Sequence, residues 1–439
     1  MNISVVTLFE KLYKPFLDTS LVGRAQRDGL VRFDVKSLLD YAAPNKRVDA
    51  PTFGPGTGML LKPEVVEAAI ESQDQQHGPS YKIFFSPHGK MLDQDMLHTI
   101  IDALRTQKHL LLLPARYEGM DARVESYYAD QIISAGNVVL MGGDIPAMML
   151  IEGLLRLIPG VVGKEQSVIE ESFTGALVDY PEYTAPPVWK GIKVPEVIRS
   201  GNHQEIRKWR ECAAAKRSVM HHFDWVRTHQ ATPEQEKLII NTIPPHYAVL
   251  MHTDVLLPGD QVGNTSVTSL DVHDIARSVA TYGLKNYFIV TPLCDQQKII
   301  QTLLDFWASP EGIDYNIQRH KALEKVVIVS SLDQVRDYIS KKESSQPLLI
   351  GSSARASEYF KHNNAITFYD QSKVWAHNQP VLFVLGTGRG LSPSLLEHCD
   401  FMVPPIKGYS SFNHLSVRSA AAVVFDRWLG CNIKKYKVH

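Results

Sequence analysis

Along the first 160 residues, short apolar runs alternate with polar or glycine-rich turns. Ile3 to Phe9, Lys82 to Ser86, His109 to Pro114 and Val138 to Gly142 have the length and continuity of buried strands. Between them, Pro63 to Ser72 and Leu92 to Thr106 carry helical periodicity. The alternation predicts an α/β domain built on a mostly parallel sheet. From about Glu170 to Leu238 the strand signals vanish. Gln204 to Arg217 and Pro233 to Ile240 there predict a small helical domain with charged faces. The Pro244-Pro245 pair marks a boundary, since proline disfavours helix at its own position and at the one before. Strand-like runs then return at Ala248 to Met251, Tyr287 to Thr291, Val326 to Ser330, Pro347 to Gly351 and Val381 to Gly386, predicting a second parallel sheet. The fold class expected is therefore α/β, with two such domains (1–163 and 244–439) and a helical domain (164–243) between them.

Ile145 to Val162 is apolar around most of a helix, more than one packed face requires, so either a central core helix or a second covering partner is expected. Glu152, Arg156 and the prolines near both ends make it a poor membrane span. The first sixteen residues mix apolar with charged positions and lack a signal-peptide core, which points to a cytoplasmic location and no membrane partner.

Totals alter this picture little. The 439 residues exceed what one core usually serves, and 44% apolar with 21% charged residues is ordinary for a globular chain. Cys212, Cys294, Cys399 and Cys431 stand too far apart for a zinc motif or a disulfide framework, so no metal is expected. The net charge of -1 means that binding to nucleic acid must rest on local basic patches. One such patch runs from Arg199 to Arg217, where six Lys or Arg residues face two acids around Trp209.

Four loops follow strand-like runs in the first domain: Phe53 to Met59, Ser86-Pro87-His88-Gly89, Ala115-Arg116-Tyr117-Glu118-Gly119, and Ser134-Ala135-Gly136 through Gly142-Gly143-Asp144-Ile145-Pro146. Each alone reads as a turn, because glycine and proline are the usual turn formers. With Gly23-Arg24-Ala25, Arg156 to Gly163, Glu171-Ser172-Phe173 and Ser200-Gly201-Asn202-His203, their order and spacing resemble the bacterial tRNA (guanine-37-N1) methyltransferase family, TrmD, over about residues 1–240.

That resemblance implies a SPOUT fold with a deep trefoil knot, which rules of chain connection would not have suggested. It implies S-adenosyl-L-methionine as cofactor, surrounded by Phe84, Phe85, Ser86, Pro87, Ala115, Glu118, Gly119, Gly136, Leu140, Gly142, Gly143 and Pro146. It implies a homodimer with a shared active site, and a tRNA substrate with guanine at positions 36 and 37. Asn202, His203, Arg207 and Arg210 would contact that tRNA. Guanine N1 becomes a good nucleophile only when its proton leaves, so a carboxylate base is needed. The resemblance assigns that task to Glu171, where the family has aspartate, and stabilisation of charge at O6 to Arg156. The extra methylene of Glu171 moves its carboxylate by about an ångström, a shift able to cost of order a hundredfold in rate. Ala50 and Ala115 also replace the family's Asp and Gly, Pro55 and Thr57 replace Gly and Pro, and Asn137-Val138 replace Asp-Tyr. These departures leave open a tRNA-binding module without catalysis.

The C-terminal domain resembles a SPOUT family of S-adenosylmethionine-dependent RNA methyltransferases that in some bacteria is fused behind TrmD. Asp271 to Arg277, Gly386-Thr387-Gly388-Arg389-Gly390-Leu391 and Asn413 to Ser419 carry that likeness. They echo more faintly the ribose 2′-O-methyltransferases related to TrmH, whose first motif begins with Asn, here Asp271, and ends with a catalytic Arg. The candidates implied are Arg277, Gly386, Gly388, Gly390, Asn413 and Ser416. An enzyme whose main chemistry lies in this domain is the further alternative.

Overall fold

Near-continuous apolar strands build both sheets. The computed structural model describes residues 1–55, 58–163 and 171–433, and the chain divides into two compact units, Met1–Thr174 and Gly175–His439. In the first unit, β1 (Asn2–Thr7), β2 (Arg32–Ser37), β3 (Tyr81–Met91), β4 (His109–Leu113) and β5 (Gln131–Ser134) form a parallel sheet in the order β2-β1-β4-β3-β5. Ile3, Val5, Ile83, Phe85, Leu110 and Leu112 pack on one face. Their immediate neighbours Val6, Phe84, Leu111 and Leu113 pack on the other. A sheet covered on both faces needs near-continuous apolar strands, which explains why these runs were readable.

Two departures from expectation bear on the site. Val138 to Gly142 is no strand: Val139 and Met141 are about nine-tenths exposed in a loop beyond β5. Its apolar residues do not face the core, so continuity of hydrophobicity misled. The second departure is that β3 does not stop at Ser86. Its pairing with β5 jumps from Phe85 to Lys90, so Ser86-Pro87-His88-Gly89 bulges out of a continuing strand.

Helix α1 (Asp144–Arg156) carries most of the long apolar stretch. Ala147, Leu150, Ile151, Leu154 and Leu155 are buried in its own unit, so the core-helix reading accounts for most of that stretch. Ile145, Met149, Glu152 and Arg156 form an exposed stripe at helical spacing.

In the second unit, β6 (His246–Met251), β7 (Tyr287–Val290), β8 (Val326–Val329), β9 (Leu348–Ser352), β10 (Val381–Gly386) and β11 (Phe401–Val403) form a parallel sheet in the order β8-β7-β6-β10-β9-β11. The helical segment between the sheets contains α2 (His203–His221) and a helix at Pro233–Thr242, with a two-residue hairpin pairing Val188–Trp189 to Ile192–Lys193 that periodicity did not reveal. Val219, Met220, Phe223, Ile239 and Ile243 share one core with the second sheet. Arg227 ties the two further: its guanidinium donates to the carbonyls of Gly430, Arg427 and Asp426 at 2.7, 2.8 and 2.7 Å. Those carbonyls lie at the C-terminal end of the helix Val417–Leu429, where orphan acceptors favour a cation.

The same core contains an acid-sensitive group. Indole nitrogens can only donate, so the bonds from Trp375 and Trp428 at 3.2 and 3.1 Å require an unprotonated Nε2 on His246. Its proton is then on Nδ1, facing the Pro244 carbonyl at 2.6 Å. Burial holds the pKa of His246 down at about 4. Between that value and the unfolded value near 6.5, the unfolded state binds more protons. This contribution is complete above pH ~6.5 and is lost as pH falls toward 4, by about 3 kcal/mol. Thermal melts from pH 4 to 7 should show this slope, and His246→Gln should flatten part of it.

Candidate functional site

The bulge of β3 and the loops at the C-terminal ends of β4 and β5 converge with the start of α1 on one cleft of about 390 Å³. Such strand ends are where α/β sheets gather ligands. Of the twelve cofactor positions expected there, Phe85, Ser86, Pro87, Ala115, Glu118, Gly119, Leu140, Gly142, Gly143 and Pro146 line the cleft. Phe84 does not: strand alternation turns its fully buried ring into the core on the other side of the sheet. Gly136 lies in the loop between lining residues but does not itself face the cleft; its carbonyl accepts from Ser134 Oγ at 3.0 Å.

Small residues give the cleft its shape. A Cβ on Gly143 would stand 2.9 Å from the Pro114 Cα, and Gly119 holds φ of +115°. Tyr117 in the same loop adopts φ of +59°, a conformation that side chains other than glycine rarely take.

A buried carboxylate anchors this frame. Asp144, at the first position of α1, accepts from Thr7 Oγ1 at 2.6 Å, Tyr13 OH at 3.2 Å and Arg116 Nε at 2.8 Å. The Arg116 guanidinium also lies 4.4 Å from the Phe9 ring centroid. Burial, followed by the Asp144 charge, raises the Tyr13 hydroxyl well above its usual range, so it stays a donor. The β4 loop is thereby tied to both β1 and α1.

Sequence motifs alone did not single out Glu125. It lines the same cleft from the helix Ala122–Tyr128, with its Oε2 3.6 Å from His88 Nε2, and burial raises its pKa. His88 in turn shares a 2.6 Å hydrogen bond with Ser86. Only the fold brings this helix back over the loop, so no local signal marked Glu125.

Arg156 and Glu171 form an ion pair within one chain, both side chains partly exposed. Neither lines the cleft. Arg156 lies ten residues beyond Pro146 on α1, about 15 Å along the helix. Glu170, the neighbouring acid, lies outside the described residues.

Asn202, His203, Arg207 and Arg210 cluster at the exposed start of α2, where the Asn202 side chain caps the helix by accepting from Gln204 and Glu205. Arg210 stacks 4.6 Å from the Tyr180 ring centroid, and Arg207 pairs with Glu211.

A second cavity, of about 400 Å³, opens at the end of β10. Gly386, Gly388, Gly390, Asn413 and Ser416 line it together with Thr265, Asp271 and Arg389. Gly388, with φ of +60°, leaves no room for a Cβ, which would lie 2.9 Å from the Leu256 carbonyl oxygen. Ser416 caps the helix Val417–Leu429, and Asp271 stands 3.8 Å from Arg418. Arg277 is not brought to this cavity. It projects to solvent from the helix Ser269–Thr281, beyond the turn on which Asp271 meets the cavity wall.

Comparison with known proteins agrees with this two-part layout. Residues 1–228 match the family tRNA (Guanine-1)-methyltransferase TrmD, and residues 245–430 match a family of SAM-dependent RNA methyltransferases. A tRNA (guanine-N(1)-)-methyltransferase of Oleidesulfovibrio alaskensis is 34% identical over 436 residues, covering 98% of this chain and 99% of the relative. That of Nitratidesulfovibrio vulgaris is equally similar over the same span. A Thermus thermophilus protein of that name is 41% identical over 220 residues, 50% of this chain and 89% of its own. The chain therefore belongs to the tRNA (guanine-N1)-methyltransferase family TrmD, in a form that continues into a SAM-dependent RNA methyltransferase region.

Proposed function

We propose that the chain methylates N1 of guanine 37 in tRNAs that also carry guanine at position 36, with S-adenosyl-L-methionine as methyl donor. The observation that carries this reading is the convergence of ten motif residues on the cleft between the β3 bulge and the ends of β4 and β5. The cleft suits the cofactor: glycines at 142 and 143 keep its wall free of side chains, and Glu118 and Glu125 supply negative charge for a cationic ligand. The bound cofactor supplies an electrophilic methyl group on a sulfonium.

The protein's residues would do the rest. Glu171 would accept the N1 proton, which frees the N1 lone pair for the methyl group that the bound cofactor would supply. Arg156 offsets the negative charge that shifts toward O6. Because Arg156 sits about 15 Å along α1 from the cleft wall, the pair serves the cleft of a second copy in a homodimer. The exposed Met141, Ile145 and Met149 offer the apolar surface for that contact. Residues 1–163 form the catalytic module and residues 164–243 hold the tRNA through Asn202, His203, Arg207 and Arg210. Both α/β regions take the SPOUT knot, and the enzyme acts in the cytoplasm. No described helix is long and apolar enough to cross a membrane.

The second cavity is read as an independent cofactor site, held by the 386–390 glycine loop. Calorimetry on the full chain should then count two S-adenosylmethionine sites, one lost in Gly143→Ala and the other in Gly388→Val. Methyl transfer to guanine N1 should fail in Gly143→Ala and survive in Gly388→Val. The reverse pattern would move the chemistry to the C-terminal region.

A further inference from the structure

Helix α2 buries Ala214, Ala215, Ser218 and Val219. A neighbouring stripe repeats at the spacing of one helix face: Trp209, Ala213 and Lys216 lie outside the core, and Met220 at its end is only partly buried against it. With Pro181 it walls a groove of about 460 Å³. Met220 and His221 continue into a second groove of about 250 Å³, whose far wall is Tyr369 and Gln371 from the second α/β region. Tyr369 is 72% exposed, far from the usual fate of an aromatic ring that serves packing.

The chemistry of this track is mixed in a specific way. Aromatic faces stand at both ends: Trp209 with Tyr183 at 6.2 Å between centroids, and Tyr369 beyond His222. Lys216, Arg217 and His221 lie between them; among the described residues no carboxylate lines the first groove, and Asp224 is the one that lines the second. Flat rings interleaved with cations suit unpaired nucleotides, whose bases stack and whose phosphates need charge. From Trp209 to Met220 the stripe runs about 16 Å, room for a few nucleotides.

We propose that this track holds an unpaired stretch of the substrate RNA, and that the second α/β region extends the RNA-binding surface through Tyr369. The inference rests on the reading of tRNA as substrate, but adds a surface apart from Asn202, His203, Arg207 and Arg210. It gives the C-terminal region a part in the first reaction whatever its own chemistry.

Binding of unmodified tRNA to the full chain, read by anisotropy over a range of salt concentrations, tests it. Tyr369→Ala should raise Kd about tenfold, the loss of one stacked base. Lys216→Ala should reduce the slope of log Kd against log salt by about one phosphate's share. Both variants should keep wild-type melting and S-adenosylmethionine affinity. Wild-type tRNA affinity and salt slope in both variants would overturn the proposal. So would a change in oligomeric state at unchanged RNA affinity, which would assign the track to a second copy. If the wild-type chain itself binds no tRNA, the substrate reading fails, and that outcome is distinct from the others.

Discussion

Glu171→Gln should bind S-adenosylmethionine and tRNA almost normally yet lose a factor of roughly 10²–10⁴ in single-turnover rate, as removal of a positioned base requires. The substitution keeps size and shape and removes the carboxylate's charge, and with it the capacity to take a proton. It also weakens the hold on Arg156, the partner of Glu171 in the structure, so part of the loss could come from a displaced guanidinium. Arg156→Lys separates the two effects. It keeps the charge proposed to act at O6 but not the planar fork, and should cost less than the loss of the base. Glu171→Asp places the residue usual in the family and should keep or raise activity, unless the pairing with Arg156 depends on the longer side chain. The assignment fails if Glu171→Gln retains near-native single-turnover rates while Glu170→Gln abolishes them.

Two inactive proteins should together make an active one, provided that the right two are mixed. Arg156 and Glu171 pair inside one chain, so a mixture of Arg156→Ala with Glu171→Ala should stay inactive: each donated pair is already broken. Gly143→Ala damages the cleft but leaves the pair intact, whereas Glu171→Gln does the opposite. In their mixed dimer one of the two sites combines a sound cleft with a sound pair. Random exchange at equal amounts makes half the dimers mixed, so activity should return to about a quarter of wild type. No recovery after confirmed subunit exchange would place the whole site within one chain.

Much of the architecture was legible because both sheets are covered on two faces. Ile3 to Val6, broken only by Ser4, and the unbroken Leu110 to Leu113 and Tyr287 to Val290 are apolar runs for that reason, and continuity is visible locally. The same cue failed at Val138 to Gly142, whose apolar side chains rim a cleft and leave the core. Motif order predicted most of the cleft wall, although it could not say that Phe84 and Phe85 point to opposite faces until the register of β3 was known. Glu125, Arg227 and Tyr369 were beyond reach of spacing. Each meets neighbours distant in sequence, such as the carbonyls about 200 residues from Arg227. Arg277 shows the converse, since a motif match placed it in a site that the helix Ser269–Thr281 turns it away from.

The most direct test is to incubate the full chain with S-adenosylmethionine and an unmodified tRNA carrying guanine at positions 36 and 37, and to locate the methyl group by mass spectrometry of nuclease fragments. The account predicts N1-methylguanosine at position 37, formed roughly 10²–10⁴-fold more slowly by Glu171→Gln. A product carrying its methyl group only on ribose would contradict it.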